Sequence, residues 1–187
     1  MKISKSDLQK LTTAMENKKL SVSQTIELIE TSNVSSEKIA NPTDEMELVI
    51  DYTKTLGQAI ADGNYDWKNS DINTKNFPIS PEMIGKKVEV SAKLFHFNRN
   101  ISSEDAISEM DKAGYRPATL MELLVLGFLF PELQKQFPII ALGSFWRNAC
   151  DDRYVPYLSV DGSERWLDLR WFWGDWIAYY RFLGIRK

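Results

Sequence analysis

Cysteine and histidine are almost absent from this chain of 187 residues, which has one of each, Cys150 and His96. A single cysteine excludes an internal disulfide, as is typical of proteins from a reducing compartment. A single histidine excludes a metal centre built from several histidines. A nucleophilic pair would require Cys150 and His96 to meet in the fold, and no sequence signal brings them together. We therefore expect no metal, no cofactor and no catalytic residues.

Excess basic charge and long apolar runs are also missing. The chain has 23 Lys and Arg against 26 Asp and Glu, a formal net charge of -3 at pH 7. Nucleic acid is therefore a disfavoured partner, because binding to phosphates usually requires a basic surface. The apolar stretch 120–130 is too short to span a bilayer. The first residues lack the apolar region of a classical signal peptide, so we expect no membrane insertion and a cytoplasmic or virion-associated location.

Two motifs for small ligands are missing or incomplete. No glycine-rich phosphate loop is present, because Gly127 and Gly143 stand alone. Asp151 and Asp152 are adjacent, but a calcium ion needs several further oxygen ligands that the neighbouring sequence does not supply. Neither motif therefore indicates a phosphate or calcium site.

Residues 1–80 are predicted to form a small helical N-terminal region and a connector. Ser21 and Gln24 fit a capping box at a helix start. Pro42 suits the first position of a second helix that runs through residues 43–62. The polar residues 64–81 read as a connector with little regular structure. This region is expected to dock, oligomerise or attach the rest of the chain.

Residues 81–187 are predicted to form an α+β domain with an antiparallel sheet. Alternation of apolar and polar residues over 88–94 indicates a strand, and capping signals at Ser102 or Ser103 and at Thr119 indicate two helices. Asp161-Gly162 indicates a hairpin turn. The expected order is a strand over 88–94, a helix to Lys112 ended by Gly114, an apolar helix from Thr119 to about Pro131, a buried strand over 137–146, and short strands over 154–158, 165–171 and 179–185.

Aromatic residues are concentrated at the end of the chain, where five of the six tryptophans lie between Phe145 and Lys187. Over residues 165–171 they alternate with charged residues at a period of two. A core needs only one face of such a strand, and a second face that carries aromatics beside charges is typical of a recognition surface. Leu167, Leu169 and Trp171 share one face, while Trp166, Asp168 and Arg170 share the other, which Trp173 extends.

The start of the apolar helix and the C-terminal segment both carry a family resemblance. The run from Gly114 to Thr119, followed by Glu122, resembles the glycine-arginine-proline-threonine-glutamate helix start of C-type lectin folds of the formylglycine-generating-enzyme type. The C-terminal segment resembles the variable proteins of diversity-generating retroelements, and the resemblance covers roughly residues 82–187. Its C-terminal pieces are Gly143-Ser144-Phe145-Trp146, Tyr154-Val155-Pro156, Gly162, Leu167-Asp168-Leu169, Trp171-Phe172 and Arg181-Phe182-Leu183-Gly184-Ile185-Arg186.

The resemblance implies a C-type lectin fold with antiparallel strands and two helices. In that family a reverse transcriptase copies a template, with errors directed to adenines, into the 3′ end of the gene, so that selected surface positions vary over a constant frame. The related formylglycine-type enzymes rely on a pair of active-site cysteines, which this chain lacks. The calcium-binding motifs of sugar-binding lectins are also absent, and Gly174-Asp175-Trp176 is only weakly similar to one of them.

The alternation and the family pattern together divide the variable segment, about residues 143–187, into a frame and a ligand face. Residues of the face resemble an antibody paratope in composition, because Tyr and Trp supply contact area and small polar residues supply adaptable hydrogen bonds. The frame is predicted to contain Trp146, Leu158, Leu167, Leu169, Trp171, Phe172, Trp176 and Phe182. The ligand face is predicted to contain Asn148, Cys150, Asp151, Asp152, Tyr157, Ser159, Trp166, Asp168, Arg170, Trp173, Gly174, Ile177, Ala178, Tyr179 and Tyr180.

The favoured interpretation is a non-enzymatic protein whose diversified C-terminal surface binds a macromolecular ligand, with protein favoured and homo-oligomerisation compatible. One alternative is a structural or assembly subunit that uses the same aromatic face as a fixed interface. Another is a degenerate enzyme of the lectin fold. Trp166 and Trp173 have a further alternative, in which they pack on the N-terminal region or on a second subunit.

Overall fold

The computed structural model describes residues 45–187 of the chain. The helix start predicted at Ser21 and the one predicted at Pro42 both lie outside the described residues. The described part belongs to one unit, which spans Asn41–Lys187.

The described residues have an α+β fold with one nine-stranded, mostly antiparallel sheet and four helices. The order of neighbouring strands is β1-β3-β9-β5-β7-β8-β2, with β4 paired to β9 and β6 paired to β7. Only the β5–β9 and β2–β8 pairs are parallel. The strands are β1 Met46–Asp51, β2 Trp67–Lys68, β3 Lys87–Phe95, β4 Tyr115–Pro117, β5 Ile139–Ile140, β6 Trp146–Arg147, β7 Arg153–Asp161, β8 Glu164–Trp171 and β9 Arg181–Arg186; the helices are α1 Leu56–Asp62, α2 Ser103–Lys112, α3 Leu120–Leu129 and α4 Leu133–Gln136.

The helix starts predicted for residues 81–187 are confirmed, because local capping determines them. Ser102 caps α2, and its hydroxyl accepts a hydrogen bond from the Asp105 amide at 3.0 Å. Glu122 Oε2 accepts a hydrogen bond from the Thr119 amide at 2.7 Å at the start of α3. Gly114 has a φ of +84° and follows the end of α2, where a residue with a side chain would be strained. None of the described helices has the length and apolar character needed to cross a membrane.

The resemblance motif at the start of α3 forms an ion pair in which the carboxylate is buried and the guanidinium is partly exposed. Arg116 donates to Glu122 through both terminal nitrogens, with N–O distances of 3.0 and 2.6 Å, and this hydrogen bonding raises the pKa of Arg116. Glu122 is almost completely buried. Because an unpaired buried charge is costly, the pair ties β4 to the first turn of α3.

The predicted helix over residues 43–62 is wrong in its first part, which is strand β1. Met46, Leu48 and Ile50 are buried and alternate with Glu47 and Val49, which are exposed. This period of two matches an edge strand paired to β3. Spacing of Met46, Val49 and Ile50 also fits a helix, and pairing with β3 decides between the two periods. Only α1 Leu56–Asp62, capped by Thr55, is helical.

The predicted connector over residues 64–81 contributes to the sheet and the core. β2 lies parallel to β8, and Ile72 and Phe77 are buried. β1 and β2 are strands of the same sheet as β3, so residues on both sides of residue 80 contribute to it. The buried strand predicted over residues 137–146 is shorter than expected, since only β5 and β6 are extended there.

Apolar side chains cover both sides of the central strands. Val155, Phe182 and Ile140 belong to one cluster, together with Ala106 and Met110 of α2. Leu158 and Leu167, which are cross-strand partners, face the other way, and Leu158 lies against Gly127 of α3. The hairpin β7–β8 therefore packs against α3 on one side. Its other side is covered by α2 only in part, and the remaining residues there are in contact with solvent.

We predict that Gly143→Ala destabilises the fold by about 1–3 kcal/mol. A Cβ at this position would lie 2.6 Å from the backbone oxygen of Pro117 and 2.7 Å from that of Ala118, and backbone atoms cannot move aside easily. Gly57→Ala is the matched control, because its Cβ would meet nothing closer than 4.0 Å. Urea denaturation of both variants checks this, and equal midpoints would contradict the prediction.

Candidate functional site

The hairpin β7–β8 presents polar and aromatic residues on the side opposite Leu158 and Leu167. Tyr157 pairs with Asp168, and Ser159 pairs with Trp166, so these four side chains share one face. The predicted turn at Asp161-Gly162 is confirmed, with Gly162 at a φ of +58°. Alternation along the two strands thus separates the buried Leu158 and Leu167 from these four half-buried side chains.

Hydrogen bonds tie this face to residues that the sequence placed in the connector. Asn69 Nδ2 donates to Asp168 Oδ1 at 2.8 Å, and the Tyr157 hydroxyl donates to Asp168 Oδ2 at 3.2 Å. Burial, followed by the charge of Asp168, raises the pKa of Tyr157. Trp67 of β2 packs against Trp166 with ring centroids 4.7 Å apart and the ring planes tilted by 35°. Asp168 and Trp166 are therefore held in place.

The segment from Phe172 to Tyr180 is anchored by a buried indole. Trp176 is almost completely buried, and its backbone exchanges two hydrogen bonds with Ile101 at 2.9 and 3.0 Å. Its Nε1 donates to Ser103 Oγ at 2.8 Å, and that hydroxyl donates in turn to the Phe172 carbonyl at 2.6 Å. These contacts hold the start and the middle of the loop.

The loop presents three large exposed side chains, with exposed fractions of 51% for Trp173, 55% for Ile177 and 52% for Tyr179. The Tyr179 hydroxyl donates to the Gln136 carbonyl at 2.5 Å. The guanidinium carbon of Arg170 lies 5.4 Å from the ring centroid of Tyr180. Arg170 therefore joins the hairpin face to the loop through a cation–π contact.

A tight turn between β6 and β7 carries the remaining predicted residues. Asn148 Oδ1 accepts hydrogen bonds from the Cys150 and Asp152 amides, both at 2.9 Å, so its side chain shapes the turn. Asp151 has a φ of +66°. The guanidinium carbon of Arg153 lies 4.9 Å from the ring centroid of Trp173, which places this turn beside the loop. Hairpin face, loop and turn form one continuous surface.

None of the residues predicted for the ligand face is buried. The structure divides them by exposure and by the contacts described above. Exposed members are Cys150, Asp151, Arg170, Trp173, Ile177 and Tyr179; half-buried members are Asn148, Asp152, Tyr157, Ser159, Trp166, Asp168, Gly174, Ala178 and Tyr180.

The prediction that Trp171 belongs to the buried frame is wrong, since its exposed fraction is 48%. The alternation places Trp171 on the same side as Leu167. At this end of β8, however, its cross-strand partner is the half-buried Tyr154, and the sheet is open to solvent. Of the other predicted frame residues, Trp146 and Leu169 are half-buried, and Leu158, Leu167, Phe172, Trp176 and Phe182 are buried.

Sequence reasoning missed Trp67 and Asn69, which lie against the hairpin face. The signal was weak, since Trp67 is the only tryptophan before residue 146 and lies in a polar segment. Position in β2 brings both residues to the edge of β8, where the Asp66 and Asn69 amides donate to β8 carbonyls at 2.9 and 3.0 Å. This contact over nearly a hundred residues of sequence is a tertiary effect.

In residues 45–187 the structure places no three His, Cys, Asp or Glu side chains where they could hold a metal ion. His96 Nε2 lies 2.8 Å from the Ala178 carbonyl and so contacts the backbone of the loop. No family model, no curated protein and no solved structure matches this chain.

We predict that Ser103→Ala lowers the free energy of unfolding by about 1–3 kcal/mol, because it removes the partner of the buried Trp176 N–H. Ser163→Ala, at an exposed turn position, is the matched control and should change stability by less than about 0.5 kcal/mol. Chemical denaturation monitored by tryptophan fluorescence measures both. Equal stabilities would show that the Ser103 hydroxyl does not anchor the loop.

We also predict that the frame and the surface differ in their tolerance of substitution. Leu167→Ala should cost about 2–5 kcal/mol, because it opens a cavity in the core. Ile177→Ala should cost less than about 0.5 kcal/mol, because this side chain is mostly in solvent. Thermal melts of the two variants test the division, which would be rejected if Ile177→Ala were as damaging as Leu167→Ala.

Proposed function

We propose that this chain is a ligand-binding protein with a C-type lectin fold, whose C-terminal surface is diversified by retroelement mutagenesis. The ligand is a macromolecule, and protein fits best. The observation that carries the proposal is the continuous surface of hairpin face, loop and turn, in which exposed side chains alternate with a buried frame.

The frame supports diversification because the core is formed by other residues than the exposed side chains of the surface. Leu158 and Leu167 hold the hairpin from behind, and Trp176 holds the loop from below. Replacement of an exposed residue such as Trp173 or Ile177 leaves those contacts intact. A protein can tolerate many sequences only at positions of this kind, since most surface substitutions away from special contacts change stability little.

The fold is compatible with the resemblance in its order of elements. Strand β3 is followed by α2 and then α3, the two longest described helices, and antiparallel strands follow. The Arg116–Glu122 pair gives the resemblance motif at the start of α3 a structural role. These features support a lectin-like frame beneath the surface.

The chemistry of the surface favours a macromolecular ligand over a small molecule. The exposed loop side chains Trp173, Ile177 and Tyr179 lie on an open surface, and the hairpin face beside them is a strand surface. Aromatic side chains on a rigid backbone bury much area at a low entropy cost. The mechanism is preorganisation, in which the backbone stays constant while side chains change.

A second candidate, a fixed assembly interface, is favoured by one observation. Trp171 and Phe145 are exposed although they lie outside the predicted ligand face. Permanent interfaces bury large aromatic areas. Sedimentation at several concentrations separates the two functions, since a permanent oligomer that buries Trp171 and Trp173 would support assembly.

Sequencing of the DNA around the gene tests diversification. We expect a nearby reverse transcriptase and a repeat of the 3′ end that differs from the gene at adenines, with differences in the codons for Trp166, Arg170, Trp173, Tyr179 and Tyr180. Codons for Leu167 and Trp176 should match between repeat and gene, because these residues are buried. Absence of the repeat, or differences spread evenly over frame and surface codons, would overturn the proposal.

A further inference from the structure

One end of the hairpin β7–β8 has a sheet face that is both aromatic and acidic. Asp161 pairs with Glu164, Ser159 pairs with Trp166, and Tyr157 pairs with Asp168, so these six side chains lie on one side of the two strands. We name this surface the open hairpin face. Its two turn-proximal carboxylates are exposed, and the other four residues are half-buried.

The carboxylates of the open hairpin face have no basic partner among the described residues. Asp161, Glu164 and Asp168 form no ion pair there, whereas eight other ion pairs are present in the same part of the chain. Asp168 accepts hydrogen bonds from the neutral groups of Asn69 and Tyr157. These hydrogen bonds orient the carboxylate group, and no cation among the described residues neutralises its charge.

The two arginines of β8 contact carbonyl groups and aromatic rings and form no ion pair with these carboxylates. Arg165 lies on the opposite side of the strand, where it donates to the Gly63 carbonyl at 2.6 Å and to the Gly127 carbonyl at 2.7 Å. Arg170 lies on the same side of β8 as Asp168 but nearer the loop, where its guanidinium contacts the rings of Tyr180 and Trp176. The three carboxylates outnumber this one guanidinium, so the described part of the open hairpin face keeps a local negative charge.

Aromatic rings flank this charge. Trp166 packs against Trp67, whose exposed fraction is 39%, and Trp166 Nε1 lies 3.3 Å from Glu164 Oε2. A guanidinium or an ammonium group is attracted both to a carboxylate and to the face of an indole. The pairing of Trp166 with two flanking carboxylates is therefore complementary to a basic side chain.

We propose that the open hairpin face binds a partner protein through an exposed Arg or Lys of that partner, placed between Asp168 and Glu164 and over Trp166. This inference rests on the proposed function and assigns the partner its chemistry. Charge complementarity carries it, because three carboxylates that form no ion pair with any residue of 45–187 lie beside two indole rings on a sheet face. Arg fits better than Lys, since its planar group can stack on an indole while it donates to a carboxylate.

The probe is a short peptide of alternating glycine and arginine, titrated into the full chain at low ionic strength. The readout is the set of tryptophan indole N–H signals in NMR spectra, with Trp67 and Trp166 as reporters and the buried Trp176 as internal reference. The test variant is Glu164→Gln with Asp168→Asn, which removes charge while each side chain keeps a hydrogen-bond acceptor. Its matched control is Glu47→Gln with Glu89→Gln, which removes the same charge from exposed positions on β1 and β3.

We expect the peptide to shift the Trp166 and Trp67 signals and to leave the Trp176 signal in place. The test variant should bind about two- to thirtyfold more weakly, as expected for the loss of two ion pairs at the protein surface, and the control should bind like the unmodified chain. Added salt should weaken binding to the unmodified chain more than binding to the test variant.

Three outcomes would overturn the inference. The first is an equal response to a glycine–glutamate peptide, and the second is equal binding by the test and control variants. The third is concentration-dependent self-association that alters the Trp166 signal without peptide, which would assign this face to a second copy of the chain. Peptide binding does not depend on diversification, so a gene without a template repeat could still encode an open hairpin face that binds the basic peptide.

Discussion

The surface of this protein depends on one buried hydrogen bond, from the Trp176 indole to the Ser103 hydroxyl. An indole N–H in a core needs an acceptor, and Ser103 supplies one while it donates to the Phe172 carbonyl. The contact joins the first turn of α2 to both the start and the middle of the loop. Exposed residues such as Trp173 and Ile177 therefore project from a backbone that is held beneath them.

The strands of the hairpin β7–β8 also carry buried residues on one side and surface residues on the other. Leu158 and Leu167 pack on the α3 side, whereas Tyr157 and Asp168 face outward. Arg165 reinforces the buried side, because its guanidinium donates to carbonyls at the end of α1 and in α3 and to Gln134 of α4. This half-buried guanidinium links distant elements, because its several donors find acceptors on three of them.

Local signals predicted the second half of the fold well. Capping residues such as Ser102 and Thr119 act within one helical turn, so a single sequence contains the information that positions α2 and α3. Asp161-Gly162 similarly determines a two-residue turn. Residues 46–50 were misread because their apolar positions fit both periods, and only pairing with β3 makes them a strand. Trp171 was misread because alternation gives the side of a strand but does not give what covers it.

By itself, the sequence determined which residues alternate, where helices of the second half begin, and that aromatics gather near the C-terminus, because these are properties of short segments. Tertiary structure alone decided the neighbours of that aromatic segment. It brought β2, with Trp67 and Asn69, to the edge of β8, and it placed Ser103 beneath Trp176. Such contacts depend on the path of the whole chain, since the paired groups are separated by about seventy to a hundred residues and are brought together only when the sheet and its packed helices form.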